Sequence, residues 1–234
     1  MFKEHTFVGV VDHEFVLIQH LTKLFLLKYP SVLEEFFYQR MLHQMDTYTG
    51  LTNVLELPQP MSISTLIQLA LDNPDSGWSP DDGDKETLGE EVAKLLITKA
   101  KMLQHHFGIY ISSDGELRKI PMLLPTEANV APNLLHLPEC ILDLATEVDW
   151  DIEENCFEGI ARAFGKWYSH PPTCMKDVEE QVDEKVQYTW FLTNIFPEML
   201  RKESEFSPPK TLKESMKIME VACLQKLYRI FERC

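Results

Sequence analysis

The residue with the clearest chemistry is the last one, Cys234, because a thiolate is a preferred ligand for zinc. It follows a segment whose apolar residues recur at helical spacing and define one face: Leu224, Leu227, Tyr228 and Phe231. That face should dock onto protein and hold the thiol in place. Prenylation is not expected, since it needs the cysteine four residues from the end. From these residues alone, a zinc ligand and an incidental cysteine in a frayed tail both stay open.

The composition indicates a folded intracellular chain. Apolar residues make up 44% of 234, and no apolar run approaches the ~18–20 residues that span a bilayer, so no membrane partner is expected. A chain of this length buries roughly 70% of its unfolded surface, and it therefore needs no disulfide or metal to fold. No basic-then-apolar leader opens the sequence. Five cysteines without C-x-x-C spacing favour a reducing compartment, the cytosol or nucleus.

The charge is strongly negative and unevenly spread. A net charge of −15 argues against independent binding to nucleic acid, whose affinity depends on cationic contacts to phosphates. Residues 143–158 hold seven acids and no lysine or arginine. Such a run is either a solvated face or a docking surface for a basic peptide. Residues 201–233, by contrast, are locally basic.

The order of local patterns predicts an α/β (α+β) fold, with a mixed or antiparallel sheet flanked by helices. Three β-rich runs open the chain, at 6–11, 14–19 and 23–28. A capping box, Ser31 with Glu34, predicts the start of a helix that runs to Asp46. Further strands are expected at 51–57, 109–111 and 116–120, the first ended by Pro58 and Pro60, and further helices at 63–71, 85–107, 139–147 and 153–168.

The same pass suggests two sub-domains. Prolines are frequent between residues 121 and 138, which indicates a connecting segment that leads back to the first sub-domain. We therefore predict one sub-domain at 1–72 and 139–234, with a smaller external α/β sub-domain inserted at 73–138. Residues 175–185 are acidic and are expected to be mobile. Residues 187–200 are expected to form a helix with apolar groups around most of its circumference, so it is either a central helix or meets another chain with its second face. Pro197 should kink this helix or start a new turn.

No common catalytic signature is present. The chain has no P-loop, no G-x-G-x-x-G, no H-E-x-x-H and no G-x-S-x-G. Four other motifs are more informative: VLIQHLTKLFLL at 16–27, LALDNPDSGW at 69–78, LATEVDW at 144–150 and FERC at 231–234. Together they resemble the C-terminal dimerisation domain of the eukaryotic MutL homologue that is the common subunit of the mismatch-repair MutL heterodimers. The resemblance runs over essentially the whole chain in unchanged order.

The resemblance implies that this domain is not itself an enzyme. The nuclease-competent partners of that family carry D-Q-H-A-x-x-E-x-x-x-x-E on the corresponding strand-to-helix passage. Here the matching positions hold no carboxylate: Ile18, Gln19, His20, Leu21, Leu24 and Tyr29. Without anionic oxygens, two-metal phosphodiester cleavage has no ligands here. The alternative, an independent metal-dependent nuclease or hydrolase, predicts carboxylates at Ile18 or Leu24. A homodimeric adaptor unrelated to DNA is a third possibility.

The resemblance also implies partners and one metal ligand. In the family the terminal cysteine of the common subunit completes the zinc site of its PMS-type partner, so Cys234 is expected to be a zinc ligand in trans. The isolated domain should hold no cofactor of its own, and DNA should be reached only through the complex. Full-length relatives carry an N-terminal ATPase of the GHKL type, and the implied location is nuclear.

Two surfaces are implied as well. The family recruits a five-prime exonuclease and other repair factors through short peptides with basic and paired aromatic residues, and carboxylates beside an apolar slot would suit them. The candidates are Glu147, Trp150, Glu153 and Glu154. For the dimer interface we expect apolar burial by the opening sheet and by residues 187–200. The candidates named there are Trp190, Phe191, Ile195, Leu227, Tyr228 and Phe231.

Overall fold

The described part of the chain forms two compact units. A computed structural model describes residues 1–46, 53–79, 81, 83–125, 130–174, 184–202 and 206–226. Unit 1 comprises Met1–Phe36, Pro125–Ala131 and Pro171–Cys234, and unit 2 comprises Phe37–Leu124 and Pro132–His170. These bounds differ from the predicted 1–72 with 139–234 and 73–138. The assignment of dimerisation to one unit and of an insertion to the other stays a prediction.

The described residues form antiparallel sheets and α-helices, which confirms the predicted α/β fold class. The strands are β1 Thr6–Val10, β2 Phe15–His20, β3 Lys23–Lys28, β4 Val54–Ser62, β5 Tyr110–Ile111, β6 Glu116–Pro121, β7 Val130–Ala131, β8 Thr173–Cys174 and β9 Ile218–Cys223. The helices are α1 Tyr29–Asp46, α2 Ile63–Asp72, α3 Lys85–Phe107, α4 Leu137–Thr146, α5 Glu153–Tyr168, α6 Glu184–Asn194, α7 Phe196–Lys202 and α8 Lys210–Glu214. No helix within these described ranges is long and apolar enough to cross a membrane.

Unit 1 is built on a four-stranded antiparallel sheet in the order β1-β2-β3-β9. Strands β1 and β2 form an antiparallel hairpin across Asp12, whose side-chain Oδ1 accepts from the backbone N–H groups of Glu14 and Phe15 at 2.8 and 2.9 Å. Successive side chains of a strand point to opposite faces. One face holds Val16 and Leu27, both fully buried and paired across β2 and β3. Apolar groups from α1, α6 and α7 complete the core of the unit, among them Leu33, Leu192 and Phe196.

Unit 2 combines a three-stranded sheet, in the order β4-β6-β5, with helices α2 to α5. The strongest sequence prediction, a helix from Lys85 to Phe107, is confirmed at both ends. Asp84 caps the start by accepting from the N–H of Thr87 at 3.1 Å. Gly108 closes the end with a φ of 67°, the left-handed conformation that glycine adopts without a steric penalty.

The core of unit 2 is rich in aromatic side chains, and two of them, Trp167 and Tyr168, make hydrogen bonds with their polar atoms. Trp167 and Tyr168 at the end of α5 are each 2% exposed. The indole N–H of Trp167 donates to the carbonyl oxygen of Asn133 at 2.9 Å, and the hydroxyl of Tyr168 donates to the carbonyl oxygen of Pro121. Buried tryptophan and tyrosine need such partners for their polar atoms. These two bonds hold the end of α5 against Pro121 and Asn133.

Two sequence predictions on element ends were wrong. The strand expected at 51–57 is described from Val54 and does not end at Pro58, because β4 continues to Ser62. Its register with β6 shifts between Glu56 and Met61, so the two prolines fall in a bulge where no ladder donor is needed. The helix expected from Ser31 begins at Tyr29, two residues earlier.

Near the C-terminal end, one helix is divided and one strand was missed. The predicted helix at 187–200 is divided into α6 and α7 at Ile195, two residues before Pro197, as a proline-induced break requires. Strand β9 was not predicted, although it completes the main sheet of unit 1. Most of the acidic segment 175–185 lies outside the described residues.

Candidate functional site

The strand-to-helix passage of unit 1 carries apolar groups where a nuclease would carry carboxylates. Ile18 is fully buried in β2, and Leu21 lies in the turn before β3 with a φ of 55°. Tyr29 begins α1 and is 4% exposed. Burial raises the pKa of its hydroxyl to about 12, so it remains a neutral phenol at physiological pH. These positions therefore supply no anionic oxygen for a divalent cation.

The second face of the unit 1 sheet carries a row of partly exposed apolar side chains. Leu17 pairs with Leu26, and Leu26 pairs with Met219, across three neighbouring strands. All three are half-buried, whereas their neighbours Val16 and Leu27 on the other face are fully buried. We call Leu17, Leu24, Leu26, Met219 and Ala222 the outer sheet face.

The outer sheet face ends at a small apolar cavity near the C-terminal end of β9. The cavity has a volume of about 210 Å³, and its lining includes Leu24, Ala222 and Leu224. Leu224 is 46% exposed, although its backbone N–H donates to the carbonyl oxygen of Thr22 at 2.8 Å. The next candidates along the chain, Leu227, Tyr228, Phe231 and Cys234, lie outside the described residues, and their predicted roles stay predictions.

The interface candidates on α6 and at its junction with α7 differ in the exposed fraction of their side chains. Trp190 is 40% exposed, Ile195 is half-buried and Phe191 is only 1% exposed. Phe191 therefore belongs to the core of unit 1, because its side chain is already covered by its own chain. Trp190 remains accessible to a second protein. The predicted interface role of this helix is not tested by these observations.

A large groove beside α6 was not anticipated from the sequence. It encloses about 820 Å³ and is lined by Val10, Val11, Asp12, His13, Tyr29, Pro171, Lys185, Tyr188 and Thr189. Val11 at its edge is 53% exposed. The lining residues come from three separate parts of the sequence, which is why local patterns do not reveal the groove.

In unit 2, the peptide-binding candidates lie around one loop, between α4 and α5. Glu147 is the C-cap of α4, and Glu153 and Glu154 form the first turn of α5. All three glutamates are exposed, while Trp150 between them is half-buried. The two acids at the start of α5 face the positive end of its helix dipole, which favours their charge whether or not a peptide binds.

The loop is organised by Asp149, which the sequence had not singled out. Its carboxylate accepts from the side-chain amide of Asn155 at 2.9 Å and from the N–H groups of Asp151 and Ile152 at 3.1 and 3.4 Å. The bond from Asn155 and these backbone bonds stabilise the ionised form and lower the pKa of Asp149. The aspartate thus holds the loop between α4 and α5 in place through these bonds.

Trp150 packs beside a cation. The ammonium of Lys99 in α3 lies 5.5 Å from the centre of the Trp150 ring, within the range of a cation–π contact. The indole nitrogen of Trp150 is buried and has no hydrogen-bond partner. Trp150 is therefore held against Lys99 of α3, while the glutamates that precede and follow it in the sequence are exposed.

Taken together, the described features define a class of protein: a two-unit α/β domain with an exposed apolar sheet face. A sequence model of the family "DNA mismatch repair protein Mlh1 C-terminus" matches residues 1–234. The chain therefore belongs to the Mlh1 C-terminal family of mismatch-repair proteins, which confirms the resemblance read from its motifs.

Individual relatives agree with this assignment. The chain is 32% identical to the DNA mismatch repair protein Mlh1 of Dictyostelium discoideum, over all of this chain and 27% of that protein. It is 30% identical to the DNA mismatch repair protein MLH1 of Saccharomyces cerevisiae, over all of this chain and 31% of that protein. A putative MutL protein homolog 1 of Schizosaccharomyces pombe is 28% identical over 99% of this chain and 31% of its own length. The chain thus spans about a third or less of these relatives.

Proposed function

We propose that this chain is a heterodimerisation and recruitment domain of a mismatch-repair MutL complex and does not cleave DNA itself. Its partner would be a PMS-type MutL homologue in the nucleus, and DNA would be engaged only by the assembled complex. The observation that carries the proposal is the outer sheet face. Its apolar side chains are left half-exposed in a family whose members act in mismatch repair.

The chemistry of the outer sheet face supports an apolar interface. Contiguous exposed apolar area on a protein surface marks an interaction site. Three strands contribute to this row, and Val221 in β9 is exposed beside it. Obligate interfaces bury more than ~2,000 Å² in total and are rich in hydrophobic contacts. A sheet face of this kind supplies surface of the required character, and Trp190 on α6 is a further exposed apolar group of the same unit.

The donor set supports a single-ligand role in a shared zinc site. The positions from Ile18 to Tyr29 supply no carboxylate, so this passage alone cannot hold a metal. Cys234 lies outside the described residues, but its thiolate is a preferred zinc ligand. In the proposed complex it would complete the partner's zinc site, and the zinc would polarise the reacting phosphate or lower the pKa of a bound water.

The recruitment role rests on the α4–α5 loop. Glu147, Glu153 and Glu154 offer exposed carboxylates for a basic residue, and the half-buried Trp150 offers an apolar contact beside them. A short peptide with a basic residue and paired aromatics, such as one from a five-prime exonuclease, matches both features.

A coexpression experiment tests the proposed pairing. The chain and a PMS-type partner are copurified, and their mass is measured by light scattering after size exclusion. Leu26→Glu and the more exposed Val221→Glu should each reduce the heterodimer strongly, because a charge would be buried in an apolar interface. Leu69→Glu is the matched control, since Leu69 is 58% exposed in unit 2. A heterodimer that survives both sheet variants would remove the outer sheet face from the interface.

A nicking assay tests the active-centre role. A pair that carries the chain without Cys234 should assemble normally and nick DNA more slowly. Undiminished nicking would show that the terminal thiol is no ligand. Metal-stimulated cleavage by the isolated chain would instead support the alternative, an independent nuclease.

A further inference from the structure

We propose that His136, Glu139 and His170 in unit 2 form a binding site for a divalent transition-metal ion, with zinc the best fit. Each side chain offers one ligand atom, and these atoms all lie within 4.8 Å of one another. All three residues are half-buried. Among the described residues, this is the only group of histidine, cysteine and acidic side chains close enough to hold a metal.

The local fold fixes where the three ligands meet. His136 ends a 3₁₀ turn, Leu134–His136, and occupies the N-cap position of α4. Glu139 lies in the first turn of α4, and His170 follows the end of α5. The two histidine rings are stacked, with 3.7 Å between their centres and 13° between their planes. Helices α4 and α5 are neighbours, so an ion here would tie the start of one to the end of the other.

Hydrogen bonds orient two of the ligands. Nδ1 of His170 lies 3.0 Å from the carbonyl oxygen of Trp167. A carbonyl can only accept, so Nδ1 carries the hydrogen and Nε2 holds the lone pair that a metal needs. Oε1 of Glu139 accepts from the side-chain amide of Asn73 at 3.2 Å, while Oε2 lies 3.8 Å from Nδ1 of His136. Metal-binding histidines and carboxylates are usually held by such outer bonds.

Three further contacts keep α4 and α5 in register around the group. The indole of Trp167 donates to the carbonyl of Asn133 in the turn that carries His136, at 2.9 Å. Asn133 in turn accepts from the N–H of Leu135 at 3.1 Å, which holds the turn closed. Lys166 pairs with Asp143 at 2.7 Å across the same two helices. The packing of α4 against α5 around the three residues is therefore stabilised without a metal ion.

The donor chemistry selects the metal class. Two imidazoles and one carboxylate suit zinc and its neighbours, whereas magnesium and calcium prefer oxygen ligands alone. With metal–nitrogen bonds of ~2.1 Å, tetrahedral ligand atoms lie roughly 3.3 Å apart. The three ligand atoms now lie within 4.8 Å of one another. They would have to approach by up to about 1.5 Å, which rotation of the side chains can supply. A water molecule would take the remaining position.

Titration of the 234-residue chain with cobalt and zinc tests the site. A Cys234→Ser background removes the terminal thiol, so that metal bound elsewhere is not counted. One cobalt ion per chain should bind with a visible spectrum that lacks the thiolate-to-cobalt charge-transfer band. Zinc should displace it and raise the unfolding midpoint by roughly 5 °C at a hundredfold excess over Kd.

Single variants separate the site from other histidines. His170→Ala should weaken zinc binding by at least about tenfold, and Asn73→Ala, which removes only the outer bond to Glu139, by about tenfold. The double variant His105→Ala/His106→Ala is the matched control, because these two rings also lie in contact, 4.7 Å apart, at the end of α3. Equal binding by His170→Ala, or loss only in the control, would overturn the proposal. Circular dichroism of each apo variant confirms that its fold is retained.

Discussion

The ammonium of Lys99 lies over the ring of Trp150, 5.5 Å from its centre. This contact joins α3 to the α4–α5 loop within unit 2. Because the loop carries the exposed glutamates of the proposed peptide site, the contact sets the position of the one aromatic group among them.

A double-mutant cycle between these two residues should show coupling. We expect Lys99→Met and Trp150→Leu to couple by about 0.5–1 kcal/mol in the free energy of unfolding, the usual size of a partly exposed cation–π contact. Urea denaturation of the four proteins measures it. Lys101→Met in place of Lys99→Met is the control, since Lys101 is an exposed residue of the same helix, and its coupling should be near zero.

Charge reversal at the start of α5 should weaken peptide recruitment. Glu153→Lys is expected to reduce the affinity for a labelled exonuclease peptide several-fold, because it replaces an attractive carboxylate by a repulsive ammonium. Fluorescence anisotropy at two salt concentrations provides the measurement, and the loss should shrink at the higher one. Glu90→Lys on the exposed side of α3 is the control. An affinity unchanged by Glu153→Lys would exclude this part of the loop.

The pKa of Asp149 should depend on Asn155. The folded-state pKa is lowered, so ionised Asp149 stabilises the loop above its unfolded pKa of about 4, and that stability is lost as pH falls through the folded value. Asn155→Ala removes the strongest bond and should move the pKa of Asp149 upward. A carbon-detected NMR titration of the carboxyl group reports it. The carboxyl of Asp151, which is exposed, serves as the internal reference.

Removing one hydroxyl should destabilise unit 2. Tyr168→Phe leaves the carbonyl oxygen of Pro121 buried without its donor, and we expect a loss of about 1–3 kcal/mol in the free energy of unfolding. Burial also raises the pKa of this hydroxyl, so it remains protonated and able to donate at any ordinary pH. Tyr110→Phe, at a half-buried tyrosine of β5, should cost less. Equal costs in the two variants would contradict this view of the core.

The turn between β5 and β6 should tolerate no side chain at Gly115. Its φ of 76° is strained for other residues, and an added Cβ would lie 2.9 Å from Cδ1 of Ile97. Gly115→Ala should therefore destabilise the chain by about 1–3 kcal/mol. Gly83→Ala separates the two causes, because its φ is 96° but no atom lies within 4 Å of the added Cβ. Thermal unfolding should show the larger loss for Gly115→Ala.

Local signals in the sequence were sufficient for most elements but not for their assembly. The helix from Lys85 to Phe107 was predictable because Asp84 and Gly108 mark both ends by side-chain and backbone chemistry that acts within one turn. Strand β9 was missed because its residues alternate poorly and its pairing partner, β3, lies at the other end of the sequence. Likewise, the prediction that a strand ends at Pro58 and Pro60 was wrong. These prolines lie in a bulge, and a bulge can be recognised only when the partner strand is known.

The candidate functional residues show the same difference between local signals and contacts that are distant in sequence. Glu153 and Glu154 were named as candidates because acids accumulate in one short stretch, and that stretch joins the end of α4 to the start of α5. His136, Glu139 and His170 were not found, because the third ligand is distant in sequence and meets the others only when α4 packs on α5. Asp149 was missed for a different reason: its importance lies in the bonds it accepts, and an isolated acid gives no sign of these.

The pairing of β3 with β9 has a consequence for the order of events on the ribosome. Leu27 and Ile218 are neighbours in the main sheet of unit 1, so that sheet stays incomplete until residues 218–223 have been synthesised. Until then β3 offers unpaired backbone groups, the template on which foreign chains associate. A premature stop codon before residue 218 would therefore leave a protein that is prone to aggregation and degradation. This holds even though unit 2, which ends at His170, would be complete.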